Sequence, residues 1–159
     1  MKPIHHLVIL VPFLAGCTND RSDAYENPEL QAVQQETIAV SVYRINVGDC
    51  LIDATNDDSV SEMDKIDCSK PHQYEAYFVF DLPAGVYPGK EAVENVADQR
   101  CQAEFEGFVG KSFEESEFTF SHLTPSSDSW VQQKDREVIC FLRTMDDSPM
   151  TGSNRNSGR

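Results

Sequence analysis

The chain has 159 residues and carries 27 acidic against 13 basic side chains, which gives a formal net charge of −14 at pH 7. Nucleic acids and anionic lipid headgroups are bound through clustered Lys and Arg side chains, and the sequence contains no such cluster. The composition therefore excludes nucleic acid as a partner, and the length suits one domain. The acidity is interpreted first as a source of solubility, with an acidic docking face as the alternative.

The N-terminus has the pattern of an export signal. Lys2 precedes an apolar run over residues 7–15 that is too short to span a bilayer, so residues 1–16 are predicted to be a signal peptide. The tetrapeptide LAGC at residues 14–17 is similar to a bacterial lipobox, in which the cysteine is acylated and the chain is cut just before it. We expect a mature protein that begins at a lipidated Cys17, carries acyl chains such as palmitate, and is anchored in the cell membrane. Its domain would lie on the extracytoplasmic side, and a plain secretory signal with an incidental cysteine is the alternative.

Polar segments flank the predicted domain. Residues 17–36 contain no sustained hydrophobic period and are predicted to form a flexible tether after the lipidated cysteine. Residues 146–159 are rich in Ser, Asn and Gly and lack aromatic side chains, so they are predicted to be a disordered tail. Residues 37–145 then form the domain.

Alternating apolar residues predict the strands. The strongest is a central strand from Tyr74 to Leu82, and further strands are predicted over residues 37–45, 50–52, 117–123 and 137–143. On the central strand, period two places five apolar side chains on one face: Tyr74, Ala76, Phe78, Phe80 and Leu82. The acidic stretch 53–65 is predicted to be a loop.

A single long helix is predicted over residues 90–109. Its apolar residues recur at spacings of three and four, among them Val93, Val96 and Cys101, and Gly110 stands where a C-terminal cap belongs. The predicted fold class is α+β, with a small antiparallel or mixed sheet of about four to five strands and one main helix packed on it.

Apart from Cys17, which precedes the domain, the chain contains four cysteines. This even number predicts two disulfides in an exported protein. Four cysteines allow three pairings. Cys101 lies on the inward face of the predicted helix and Cys140 on an apolar strand face, so these two are expected to pair, which leaves Cys50 with Cys68. The absence of C-x-x-C and H-x-x-H spacing argues against a metal site, and no cofactor is expected.

Several motifs together resemble the septum-formation-related domain of bacterial envelope proteins. They are VGDC at 47–50, DCSKPH at 67–72, FDLP at 80–83, YPG at 87–89, SW at 129–130 and DR at 135–136. The similarity covers roughly residues 42–142 and implies a link to cell division, without implying any known chemistry. Members of that family often carry a transmembrane helix where this chain has the lipobox, and a glycine where this chain has Lys134.

Two residues within these motifs are candidates for binding a partner. His72 follows Pro71 at the start of the central strand, and its alternative role is to fix the geometry of that turn. Trp130, the chain's one tryptophan, could anchor a partner or could cover the core.

The sequence signals no catalytic arrangement: it has no G-x-S-x-G motif and, once the disulfides form, no free cysteine in the domain. We therefore predict a protein that is not an enzyme and that binds another envelope protein or a cell-wall polymer in connection with septum formation. The alternatives are a lipoprotein that binds a small ligand or acts as an inhibitor, and an extracytoplasmic hydrolase.

Overall fold

The computed structural model describes residues 36–53 and 61–159. They form an antiparallel sheet of six strands in the order β1-β3-β2-β4-β6-β5. The strands are β1 Ile38–Ser41, β2 Cys50–Ile52, β3 Glu62–Ile66, β4 Tyr74–Asp81, β5 Phe118–Leu123 and β6 Glu137–Thr144. The helices are α1 Lys90–Val109 and α2 Ser127–Gln132, and 3-10 turns cover Val42–Arg44 and Phe113–Glu115.

The α+β class and the one main helix are confirmed, but the sheet has six strands rather than four to five. The additional strand is β3, and all of it except Ile66 lies within the stretch 53–65 that was predicted to be an acidic loop. Its Met63 and Ile66 are buried, and the strand pairs with both β1 and β2. Two apolar side chains among mostly acidic neighbours give an alternating pattern that is too weak to predict a strand from the sequence. The strand is stabilised instead by its pairing with a neighbour on each edge.

The face assignment of β4 was wrong because the strand contains a register shift between Ala76 and Phe78, where it pairs with β6. Tyr74 and Ala76 pack on one side of the sheet, while Tyr77 and Phe78 both pack on the other. A bulge of this kind moves every later side chain to the opposite face.

Helix α1 covers one face of the sheet. Its inward residues Val93, Ala97, Cys101 and Phe105 are buried, whereas Val96, which shares the spacing, is 41% exposed. The helix ends at Val109 and is capped by Gly110, whose φ of 81° is the left-handed conformation that glycine adopts without strain.

Tyr77 joins β4 to α1 within this core. Its hydroxyl donates to the Cys101 carbonyl oxygen at 2.7 Å, and its ring meets that of Phe105 edge to face at 6.0 Å. Burial raises the pKa of Tyr77, because an ionised phenol would be poorly solvated there. A neutral hydroxyl therefore holds helix and sheet together.

Both disulfides have the predicted pairing. Cys101 of α1 is bonded to Cys140 of β6, and Cys50 of β2 is bonded to Cys68 in the turn that follows β3. The Cα atoms of the two pairs lie 5.6 and 5.2 Å apart, within the normal range. One bridge fixes the helix to the sheet and the other fixes two neighbouring parts of the sheet.

The second face of the sheet has its own apolar cluster. The 3-10 turn after β1 contributes Val42, which packs with Leu51, Ile139 and Phe141 from the strands. This face is covered only in part, since Leu123 and Val79 at its margin remain partly exposed.

The C-terminal segment, residues 146–159, is ordered, so the predicted disordered tail is wrong. Met150 forms an antiparallel bridge with His72, and the amides of Asn156 and Gly158 donate to the Phe108 and Val109 carbonyls at 2.8 and 2.9 Å. Backbone hydrogen bonds of this kind do not depend on side-chain hydrophobicity, so they could not be predicted from the polar composition of the segment. The segment satisfies carbonyl groups at the end of α1 that the helix itself leaves unpaired.

Within the described residues, no helix is long and apolar enough to cross a bilayer. The predicted signal peptide, Cys17 and nearly all of the tether lie outside those residues.

Candidate functional site

His72 is completely buried, which supports its structural role over direct contact with a partner. Its backbone pairs with Met150, and its Nδ1 atom lies 2.8 Å from the Lys70 carbonyl oxygen. A carbonyl oxygen only accepts, so Nδ1 carries the proton in this hydrogen bond. The imidazole thereby fixes the turn before β4, as the alternative interpretation proposed.

Cys50, His72 and Glu75 are the only potential metal ligands that converge within the described residues, with donor atoms within 4.8 Å of one another. The Cys50 sulfur is committed to its disulfide and is not a thiolate. The Glu75 carboxylate accepts hydrogen bonds from the Ser153 hydroxyl at 2.5 Å and the Asn154 amide at 2.8 Å. This buried cluster is therefore arranged to hold the C-terminal segment on the sheet.

Trp130 is 4% exposed and covers the edge of the helix-side core. Its indole N–H donates to the Gly85 carbonyl oxygen at 2.9 Å, and the Arg136 guanidinium stacks 3.6 Å from the ring centroid. Tyr87 meets the same indole edge to face at 5.5 Å. With its polar atom paired and its ring packed against Arg136 and Tyr87, Trp130 acts as a lid that joins the loop after β4 to α2.

A cavity of about 330 Å³ opens on the second face of the sheet, away from α1, and we call it the acidic groove. Its apolar lining comes from Val42, Leu123 and Ile139. The polar lining consists of Tyr43, Ser61, Thr124, Ser126, Ser129, Gln133, Asp135 and Glu137. Val42 and Ile139 are buried, so the deepest part of the groove is aliphatic.

Helix α2 positions one wall of the groove. The Ser126 hydroxyl caps the helix by accepting a hydrogen bond from the Ser129 amide at 3.0 Å. In return, the Ser126 amide donates to the Ser129 hydroxyl oxygen at 3.0 Å. The Ser129 hydroxyl also donates to an Asp135 carboxylate oxygen at 2.9 Å. The cap thus holds Asp135 at the edge of the groove.

Glu137 is the least compensated charge in the groove. Its carboxylate has no hydrogen bond or ion pair within residues 36–53 and 61–159, and the lining residues there include no Lys, Arg or His. Partial burial, together with the negative charges of Asp81 and Asp135, raises the pKa of Glu137. Burial of its own ring, together with the negative charges of Asp135 and Glu137, raises the pKa of Tyr43, whose neutral hydroxyl donates to Gln133 at 2.5 Å.

Asp81 adds to this field from the neighbouring strand. It lies directly opposite Glu137 in the β4–β6 register, so both side chains point to the same face of the sheet. Like charges placed opposite each other destabilise a sheet. The arrangement can therefore favour a cation in the groove.

The structure brings neither described histidine into this groove. His72 is buried elsewhere, and His122 places Nε2 2.9 Å from Asp98 of α1. The groove itself was missed by sequence reasoning, because its residues come mainly from the 3-10 turn after β1, from β5, from α2 and from β6. The one signal in the sequence that could have indicated the groove was its excess of acidic residues, for which an acidic docking face was the alternative interpretation.

Comparison with known proteins identifies one matching family and two relatives. The sequence model described as "Septum formation" matches residues 47–157, a range that includes the C-terminal segment. The protein named "Putative lipoprotein LppN" from Mycobacterium tuberculosis is 28% identical over 141 residues, which cover 87% of this chain and 75% of the relative. Its counterpart of the same name in Mycobacterium bovis gives the same identity and coverage.

No solved structure matches the chain. The family model covers well over half of the sequence, including both disulfides, the Trp130 lid and the hydrogen-bonded C-terminal segment. The chain therefore belongs to the Septum formation family.

Proposed function

We propose that this chain is a lipid-anchored, non-catalytic module of the cell envelope that binds a partner in or near septum formation. The observation that carries the proposal is the acidic groove: it is an open, partly apolar cavity with an uncompensated carboxylate, in a protein of the Septum formation family. Concave sites with apolar walls and a few directed polar groups are typical of binding surfaces. The partner would be an envelope protein or a cell-wall polymer.

The lipid anchor is proposed from the LAGC tetrapeptide at residues 14–17 and from the mycobacterial relatives, which are named putative lipoproteins. Cys17→Ser should move the protein from the membrane fraction to the soluble fraction, because one acylated cysteine is the proposed attachment. Persistence of the variant in membranes until detergent is added would show that another attachment exists.

A non-catalytic role is supported by the placement of the polar groups. The Ser129 hydroxyl is bound to Asp135 and to its own helix cap, and no imidazole lies beside it in the described chain. A serine nucleophile requires a neighbouring base within hydrogen-bond reach. The groove therefore suits binding better than the hydrolase alternative.

Complementation of a deletion strain tests the function in cells. We expect loss of the gene to disturb septum placement or cell separation, and we expect the wild-type chain to restore both. Thr124→Arg, at the groove, should fail to complement because it adds bulk and a cation where the partner binds. Val96→Arg, on the exposed side of α1, is the matched control and should complement. Normal division in the deletion strain would contradict the septal role, and equal complementation by both variants would contradict the groove.

A further inference from the structure

The acidic groove has two chemically different parts. Val42 and Ile139 supply buried aliphatic surface, and Glu137 supplies a half-buried carboxylate beside it. A ligand that satisfied only one part would leave the other in contact with water or without a counter-charge. The geometry points to a group that is apolar along its length and positively charged at its tip.

We propose that the acidic groove binds an ammonium group on an aliphatic stem, of the kind carried by a lysine-like side chain of a peptide. The proposal rests on the proposed function and assigns the class of ligand recognised by that same groove. The stem would lie along Val42, Leu123 and Ile139, and the ammonium group would reach Glu137. Lysine side chains commonly bury their methylene groups in this way while the charged end meets a polar partner.

The electrostatics around Glu137 favour a cation over a neutral donor. Asp81 lies opposite in register, Asp135 lies two residues before it, and no basic residue lines the groove in the described chain. Asp135 already accepts from the Ser129 hydroxyl and the Glu137 amide, at 2.9 and 3.1 Å. Glu137 therefore retains free acceptor positions, and an ammonium group would supply both the missing charge and three donors.

A bare divalent metal ion fits these carboxylates less well. Compact coordination needs several oxygen ligands at bonding distance from one ion. The acidic residues of the groove do not converge within the spacing that brings Cys50, His72 and Glu75 together elsewhere in the described residues. An ammonium group tolerates wider spacing, because each N–H bond is directed at a separate acceptor.

The test is an NMR titration of the full mature chain with a blocked tripeptide that has lysine at its centre. The control ligand is the same peptide with an acetylated lysine amine, which keeps the stem and removes the charge. We expect saturable shift changes at Val42, Leu123 and Ile139 with the lysine peptide, reduced by added salt, and none with the acetylated peptide. Glu137→Gln should weaken binding by about tenfold, as expected for the loss of one charge-assisted hydrogen bond.

Glu91→Gln is the matched control variant, because it makes the same charge change on the first turn of α1, on the other side of the sheet. It should leave the affinity unchanged. Equal binding of both peptides, no effect of Glu137→Gln, or absence of saturable binding would overturn the proposal. So would tighter binding of calcium or of glucosamine, whose ammonium group is attached directly to a sugar ring. If the lysine peptide fails while Thr124→Arg still prevents complementation, the ligand class is wrong and the groove's binding role stands.

Discussion

Glu137 determines how the stability of this domain depends on pH at the acidic groove. Its pKa is raised by burial and by two neighbouring acids, so the folded protein holds that proton to a higher pH than the unfolded chain does. Above the usual value of 4.5, the folded state therefore binds more protons at this site. The contribution of Glu137 to the free energy of unfolding is therefore fully present below pH 4.5 and is lost as the pH rises through the higher pKa of the folded state.

Glu137→Gln should therefore raise the free energy of unfolding at neutral pH and leave it nearly unchanged near pH 4. Urea unfolding at a series of pH values measures the difference between variant and wild type. Glu91→Gln, at an exposed site on α1, should show no comparable trend. A stabilisation by Glu137→Gln that is independent of pH would show that the effect does not come from titration.

Lys134 occupies a backbone conformation that favours glycine. Its φ is 57°, in the left-handed region, where a side chain costs roughly 1–2 kcal/mol. Lys134→Gly removes that strain but adds entropy to the unfolded chain, so we expect a net gain of up to about 1 kcal/mol in unfolding free energy. Lys134→Val should destabilise the domain, since a β-branched side chain is disfavoured there. Urea unfolding of both variants provides the measurement, and a loss of stability in Lys134→Gly would contradict the account.

At the scale of elements, the C-terminal segment is held by buried contacts rather than by surface ones. The Glu75 carboxylate, fully buried in β4, accepts from Ser153 and Asn154, and the segment also meets the end of α1. A buried charge that loses its partners is strongly destabilising. The segment is therefore part of the folded domain.

Deleting residues 149–159 should lower the unfolding free energy by about 3 kcal/mol, because the Glu75 carboxylate would lose its donors and the end of α1 would lose its backbone hydrogen bonds. Chemical denaturation measures the loss. Arg155→Ala is the matched control: this exposed residue stacks 4.4 Å from the Phe108 ring centroid and should cost less than about 1 kcal/mol. If the truncated chain were as stable as the full one, the segment would not contribute to the fold, as the prediction of a disordered tail implied.

The two disulfides close loops of different length. Their cysteines are 39 and 18 residues apart, so the chain-entropy relation gives about 4 kcal/mol for Cys101–Cys140 and about 3 kcal/mol for Cys50–Cys68. Replacing both cysteines of either pair by alanine should destabilise the domain, the first pair more strongly. Unfolding curves of the two double variants test this order, and non-reducing peptide mapping checks the pairing in the exported protein.

Sequence patterns within a short window were sufficient to predict features that depend on a single helix or strand. The helix bounds, the inward position of Cys101 and the alternation of Val138, Cys140 and Leu142 all follow from spacing within a short window. Features that depend on distant pairing were missed. The bulge in β4, strand β3 and the C-terminal segment are each fixed by partners far away in the chain. The acidic groove belongs to the same class, since four elements contribute to it.

At the scale of the whole molecule, the two faces of the sheet are covered differently. Helix α1, the Cys101–Cys140 bridge and the aromatic core occupy one face, and they stabilise the fold. The opposite face carries the acidic groove. A lipid anchor at Cys17 followed by a tether would let that groove reach a partner near the membrane without fixing its orientation.

The most direct test of this account is site-specific photo-crosslinking in intact cells. A photo-reactive amino acid in place of Thr124 reports on the acidic groove, and the same amino acid in place of Val96 reports on the exposed side of α1. We predict a discrete crosslinked product from position 124 that is absent from position 96 and is lost when Glu137→Gln is added. The same products from both positions, or none from position 124 at normal expression, would contradict the claim that this groove is the binding surface.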